Sequence, residues 1–237
     1  MSHPDSMSTD SATPGSATPG STAPDDLQEQ LIKAAARIVF AVIVGILVVA
    51  YSFWPSKAAM AKKLLMRERR SVVKYKGAAS QAQVQRALEC AIRAPNHFLN
   101  EPWRFRILGK QTIAKIVALN DAKKEAFAGV PGWLMVTLVP TAGEEKWQTK
   151  SLEDHAACAC AIQNFMLALA SEGIGSKWMT GAMGSPPSAL MAACDVDDTK
   201  EHFMGIVFFG RPATALADMP IPTRKIGLSA PVLTTLP

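Results

Sequence analysis

The distribution of apolar residues changes character several times along this chain. Residues 1–26 hold almost no large apolar side chains and repeat "SATPG" at 11–15 and 16–20. Such a stretch cannot offset the entropy of ordering itself, so a disordered Ser/Thr/Pro/Ala-rich tail is expected, reaching to about residue 30 (1–30). Ala34 to Trp54 is then apolar except for Arg37 and Ser52. As a helix this run is about 31 Å long, enough for a bilayer core, and it lacks the polar stripe of a soluble helix. Residues 31–55 are therefore expected to be a single transmembrane anchor.

From Ser56 onward (56–237) the rhythm is that of one compact domain. Lys57 to Glu68 reads as a basic helix. "SQAQVQRALECAIRAP" opens on Ser80 as an N-cap, carries Val84, Leu88, Ala91 and Ile92 at helical spacing, and stops at Pro95. "WRFRILG" alternates as a strand does, "QTIAKIVALNDAKKEAFA" reads as a helix, and "GWLMVTLVP" as a buried strand. The run from Trp147 is a long helix, apolar over most of its circumference after Ala156, and ends at Gly173. A strand at "SKWMTG", a helix from Pro186 to Cys194 and the strand "HFMGIVFFGRP" follow, then a Pro-rich extended tail. Helices intermixed with about four strands predict an α+β domain, one sheet with helices on it.

Charge refines this picture. The formal net charge is +5, but Pro55 to Lys76 alone carries eight Lys or Arg against Glu68, while residues 77–237 are nearly balanced. The basic excess therefore belongs to one stretch beside the apolar run rather than to a nucleic-acid-binding surface. By the positive-inside rule it places the C-terminal domain on the cytoplasmic side, and it suits anionic lipid. A cleaved signal peptide or a transit peptide fits poorly: five acidic residues and no arginine precede the run. Cys158 and Cys160 point apart on one helix, so with His155 they make a poor metal site; the cysteines read as small apolar residues in a reducing compartment.

No nucleophile elbow, P-loop, dinucleotide fingerprint or metal-ligand pair is present. Three polar groups stand out instead. "RERRS" puts adjacent guanidinium groups and a hydroxyl at a helix end, a fork suited to phosphate or a carbonyl-rich ring. "APNHFLNEPWRF" sets His97 and Glu101 just before a strand. "SKWMTGAMG" places Trp178 and Thr180 near glycines.

Together and in this order, from about Leu64 to the C-terminus, these segments resemble the nitroreductase family of flavin enzymes. The resemblance rests on "RRS", on "APNHFLNEPWRF", on "GIGSKWMTG" after the long helix, and on the final "VFFGRP" strand with its Pro-rich basic tail. The loop is similar to the compact branch, in which Ala-Pro-x-His precedes Gln/Glu-Pro-Trp. It implies a domain-swapped homodimer, a mixed sheet, and two FMN sites at the subunit interface. Arg69, Arg70 and Ser71 match the FMN-binding "RRS", with the arginines near the phosphate and the pyrimidine edge. His97 and Glu101 match loop positions that reach the flavin from the partner. Trp178, Met179 and Thr180 match the segment beside the ring, and Arg224 matches a basic phosphate contact. Lys146 or Lys150 is available to a nicotinamide cofactor's phosphate, with nothing local to choose between them.

The implied activity is ping-pong transfer of a hydride from NADH or NADPH through FMN to a nitroaromatic, quinone or similar small-molecule acceptor. No catalytic side chain is implied, because the cofactor does the covalent work. Two positions depart from the pattern. Val73 stands where relatives carry a basic residue, with Lys74 one step later, and Glu101 stands where Gln is frequent. Both favour an alternative, a flavin-binding membrane sensor or scaffold with little turnover. A second alternative is a reductive dehalogenase of the iodotyrosine deiodinase type, whose members are also single-pass; residues 111–132 are short and plain for the lid such enzymes carry.

Overall fold

The computed structural model describes residues 23–53, 65–141 and 147–225. They fall into two compact units, one within residues 1–56 and one within 57–237. The first contains a single helix, α1 (Ala23–Phe53), long and apolar enough between Asp26 and Ser52 to cross a membrane. It begins earlier than composition suggests, so residues 23–30 are helical rather than part of the tail. Local helix chemistry accounts for this. Asp26 in the first turn complements the positive N-terminal end of the helix dipole, Gln30 donates to Asp26 (3.2 Å), and Glu29 pairs with Lys33 one turn on (2.5 Å). Residues 1–22 of the expected tail lie outside the described residues, as do 57–64 of the basic run; residues 65–68 are helical.

The second unit contains β1 (Tyr75–Gly77), α2 (Gln81–Ala91), β2 (Trp103–Ile107), α3 (Lys110–Ala118), α4 (Lys124–Ala128), β3 (Gly132–Leu138), α5 (Trp147–Ser171), β4 (Gly175–Met179), α6 (Pro187–Ala193) and β5 (His202–Pro212). The sheet has five strands in the order β1-β5-β3-β2, with β4 also on β5. All four strand pairings are antiparallel, and one parallel bridge, Ser71 to Ser176, makes the sheet mixed. β1 escapes the sequence pattern because three residues, "YKG", carry no alternation to detect.

The central stretches of β3 (Trp133–Val136) and β5 (Ile206–Phe209) are apolar on both faces because both faces are covered. On one face α2 and α5 pack Ala91, Ile162, Phe165 and Leu169 against Leu134, Val136, Val207 and Phe209. On the other, Ile116, Phe127, Leu190 and Met191 pack against Trp133, Met135, Ile206 and Phe208. Helices thus flank the sheet on both faces, in keeping with the expected mixed sheet flanked by helices, though among the described residues the strands number five rather than about four. Ser80 caps α2 as expected, in a reciprocal box with Gln83. The expected single helix over 111–128 is broken at Asn120, whose side chain accepts from Ala122 N (3.1 Å) and donates to Gly184 O (2.8 Å). α5 stops before Gly173, which adopts a left-handed φ of 72°.

One polar network interrupts the apolar sheet. Arg106 on β2 forks onto Glu201 (2.7 and 2.8 Å) and donates to Thr137 (2.8 Å), whose hydroxyl also donates to Glu201. Thr137 is fully buried. The Arg106 hydrogen bond, more than the Thr137 hydroxyl, holds the Glu201 carboxyl below the usual carboxylate range against the opposing cost of burial. A depressed carboxyl stabilises the fold above its unfolded pKa and ceases to as pH falls through the folded value. Glu201→Gln should therefore cost about 2 kcal/mol at neutral pH. The gap in thermal midpoint between wild type and variant should close below about pH 4.3. A gap that stays constant from pH 7 to pH 3.5 contradicts this account.

Candidate functional site

Strand β4 carries the first part of the site. Its pairing sets Ser176 opposite Phe209, Trp178 opposite Val207 and Met179 opposite Ile206. The segment after the first arginines is stitched to it: Ser71 bridges Ser176, and Val72 N donates to Ser176 O (3.0 Å). Ser71 is exposed, while Ser176 is 1% exposed and its Oγ has no hydrogen-bond partner. A buried hydroxyl without a partner is uncommon, and sequence reading did not single it out.

The two arginines divide their work. Arg70 is buried, donating through Nε to Pro220 O (2.9 Å) and through Nη1 to the carbonyls of Arg67 and Arg69 (3.0 Å to the latter). It therefore clips the C-terminal tail to the start of the domain, and leaves only Nη2 for anything else. Arg69 is half-buried; burial first, then the neighbouring charges of Arg224 and Arg70, pushes its guanidinium below its ordinary pKa. Among the described residues none of the three arginines forms an ion pair with a carboxylate. Like charges held together without an acid favour an incoming anion.

Trp178 is half-buried and donates to Met204 O (2.9 Å). That contact needs Gly205: at φ 134° a Cβ would stand 2.3 Å from Trp178 Nε1. Gly205 sits where the β3–β5 register shifts, so the bulge shapes this end of β4. Met179 is buried in the core, and Thr180 is exposed past the strand end. Arg69, Arg70, Ser71, Ser176 and Arg224 thus gather near Phe209, with Thr180 about 13 Å along β4 from Ser176.

His97 and Glu101 are elsewhere. The Asn96–Glu101 loop leads into Trp103, which pairs with Leu138, which pairs with His202 at the opposite end of β5. Seven residues of strand separate His202 from Phe209, about 23 Å. Within one chain the loop and the arginine cluster do not meet. The loop is strained: Phe98, Leu99 and Glu101 have φ of 48°, 55° and 47°. Phe98 is 91% and Leu99 79% exposed. His97 Nδ1 lies 3.6 Å from Glu153 of α5, and Glu101 N donates to Asn96 Oδ1 (3.0 Å). Lys146 lies outside the described residues.

Several cavities are present among the described residues. One of about 460 Å³ lies between α2 and the start of β3, lined by Val84, Leu88, Ile107, Gly132, Trp133 and Phe209. Burial pushes the Cys158 thiol up to about 12 and Cys194 up to about 11, so neither is a ready nucleophile. Cys160 is exposed while Cys158 is buried, as residues two apart on a helix must be.

Comparison with known proteins defines the class. The chain is similar to YfhC of Bacillus subtilis (strain 168), which bears the name of an NAD(P)H nitroreductase: 31% identity over 169 residues, 64% of this chain and 84% of the relative. YdjA of Escherichia coli (strain K12), named likewise, is 24% identical over 160 residues, 60% and 84% of the two chains. A profile of the Nitroreductase family matches residues 118–211. Among solved structures, a Desulfovibrio desulfuricans protein named as a nitroreductase and determined in complex with FMN superposes with TM-score 0.60 at 22% identity, over 74% of this chain and 98% of its own. A nitroreductase-like protein of Bacillus cereus gives 0.59 at 20% identity, over 70% and 91%. The fold is that of nitroreductases. The chain belongs to the nitroreductase family.

Arg70 and Arg69 should separate cleanly by mutation. Arg70→Ala leaves backbone carbonyls without donors and should cost about 2–3 kcal/mol, with the 213–225 tail becoming sensitive to protease. Arg69→Ala should stay within about 0.5 kcal/mol of wild type in thermal unfolding. Equal losses in both variants contradict this division.

Proposed function

We propose that the protein is an FMN-dependent NAD(P)H oxidoreductase, and the observation that carries this reading is the cluster of Arg69, Arg70 and Arg224, without a carboxylate partner among the described residues, beside the buried Ser176 hydroxyl. The residues fit the cofactor. Arg69 and Arg224 supply charge for its phosphate, the partnerless Ser176 hydroxyl and the exposed Ser71 hydroxyl are available donors, and Thr180 marks the far end of β4. Held there, FMN would supply hydride transfer from NADH or NADPH to a second substrate through one pocket, a ping-pong cycle. The protein's own task is to hold the phosphate, to seat the ring along Trp178–Thr180 and to exclude water.

A homodimer completes the site. Since the loop and the arginine cluster lie at opposite ends of one sheet, His97 and Glu101 come from the second copy, with Phe98 and Leu99 buried between the two. The acceptor is a nitroaromatic, a quinone or a similar planar electron acceptor. α1 serves as a single-pass anchor in the bilayer, and the basic stretch after it favours a cytoplasmic domain.

Two measurements check this. The full-length protein purified in detergent should be yellow and should bleach anaerobically with NADH or NADPH; a colourless protein that FMN cannot reconstitute overturns the reading. Arg69→Ala should weaken FMN binding roughly tenfold to a hundredfold, the worth of one charge-assisted hydrogen bond. Unchanged FMN affinity removes Arg69 from the site.

A further inference from the structure

The Asn96–Glu101 loop cannot hold its own shape. Three of its six residues are left-handed without being glycine, none of its side chains is buried, and its internal bonds are few: Asn100 N to His97 O (3.1 Å) and Glu101 N to Asn96 Oδ1 (3.0 Å). A strained conformation persists only where its surroundings impose it. At the loop's ends Asn96 Nδ2 donates to Ala94 O (3.2 Å) and Arg104 Nη1 donates to Glu101 O (3.0 Å), and over its middle the loop meets two adjacent residues of α5. Glu153, partly exposed, lies against His97. Asp154 is 2% exposed and meets the loop through Asn100.

Asp154 is the more constrained of the two. Its Oδ1 accepts from Asn100 Nδ2 (2.5 Å) and from Thr141 Oγ1 (3.1 Å), and its Oδ2 accepts from Thr141 N (2.9 Å). Asn100 Nδ2 also donates to Thr141 Oγ1 (2.7 Å), which closes a triangle. Among the described residues no lysine or arginine pairs with this carboxylate. A buried carboxylate served only by neutral donors is costly, and each donor becomes an obligatory contact. Two of the three bonds come from the residue that follows β3 by three positions; the third comes from the loop. The carboxylate therefore ties the loop to α5 and to the end of the central strand at one point.

We infer that Asp154 is a positioning residue for the site. Its carboxylate fixes Asn100, and through Asn100 the conformation that presents His97, three residues before, and Glu101, the next residue. This rests on the proposal that the loop reaches the flavin, but the clasp itself does not. Polarity is the essential feature: position 154 must accept and position 100 must donate. An asparagine at position 154 alone would face one donor with another, and an aspartate at position 100 alone would set two carboxylates together. Exchanging the two residues restores the pairing. The amide then at position 154 can accept from Thr141 N and donate to the carboxylate at position 100.

Asp154→Asn, Asn100→Asp, the exchanged double variant and the milder Asn100→Ala test this in the full chain. Amide hydrogen exchange, read without FMN, should quicken about tenfold at the hydrogen-bonded Asn100 and Glu101 amides in each single variant and return near wild type in the exchanged pair, with exchange in β3 unchanged. No change in the single variants overturns the clasp, as does loss of protection that the exchange fails to rescue. Asn100→Ala keeps both Thr141 bonds and decides the matter if Asp154→Asn does not fold. The visible circular dichroism of bound FMN supplies the second arm. It should alter in the single variants and recover in the exchanged pair. Rescue of hydrogen exchange without any change in the flavin signal separates the two ideas: the clasp stands and the link to the site falls. A wild type that binds no FMN refutes the flavin reading and leaves the first arm intact.

Discussion

Backbone pairing along both edges of β5 is the constraint on which the rest of the domain depends. β3 occupies one edge from Phe209 to His202, and β4 and β1 share the other. Both faces of β5 are buried, with Val207 and Phe209 in one core and Ile206 and Phe208 in the other. Slipping the strand by one residue would exchange these two sets, so its register is strongly held. Once it is held, every candidate site residue has an address. Ser176 stands across from Phe209, Ser71 stands beside Ser176, and Trp178 leans on the bulge at Gly205.

The ends of this strand differ in electrical character. Toward Arg211, three arginines crowd together and the tail folds back through Arg70. Toward His202, the loop bearing His97 and Glu101 is mounted on Glu153 and Asp154 of α5. About 23 Å of strand separates the two ends, one gathering arginines and the other carrying a strained loop tipped by the exposed Phe98 and Leu99.

Much of the fold was legible in the sequence. The N-cap at Ser80, the glycine stop after α5 and the apolar runs of β3 and β5 depend on residues within a turn or two, and each element is found. The error at 111–128 has the same origin: helical periodicity continues through Asn120, and only its bond to Gly184, far along the chain, shows why the helix breaks there. β1 was not legible, because pairing with Arg211 and Pro212 is all that makes "YKG" a strand. The early start of α1 was visible in the Glu29–Lys33 spacing, though composition argued against it.

The candidate site divides similarly. By itself the sequence determined which residue types were present and in what order: adjacent arginines, a His–Glu loop after Pro95, and Trp178 near glycines. Motif order carries that information because the chain must pass each element in turn. Tertiary structure alone decided that Arg70 is spent on backbone carbonyls, that Ser176 is buried without a partner, and that Asp154 holds the loop. Each of these rests on contacts between residues tens of positions apart. No local periodicity records such contacts; they exist only once β5 has fixed what lies beside what.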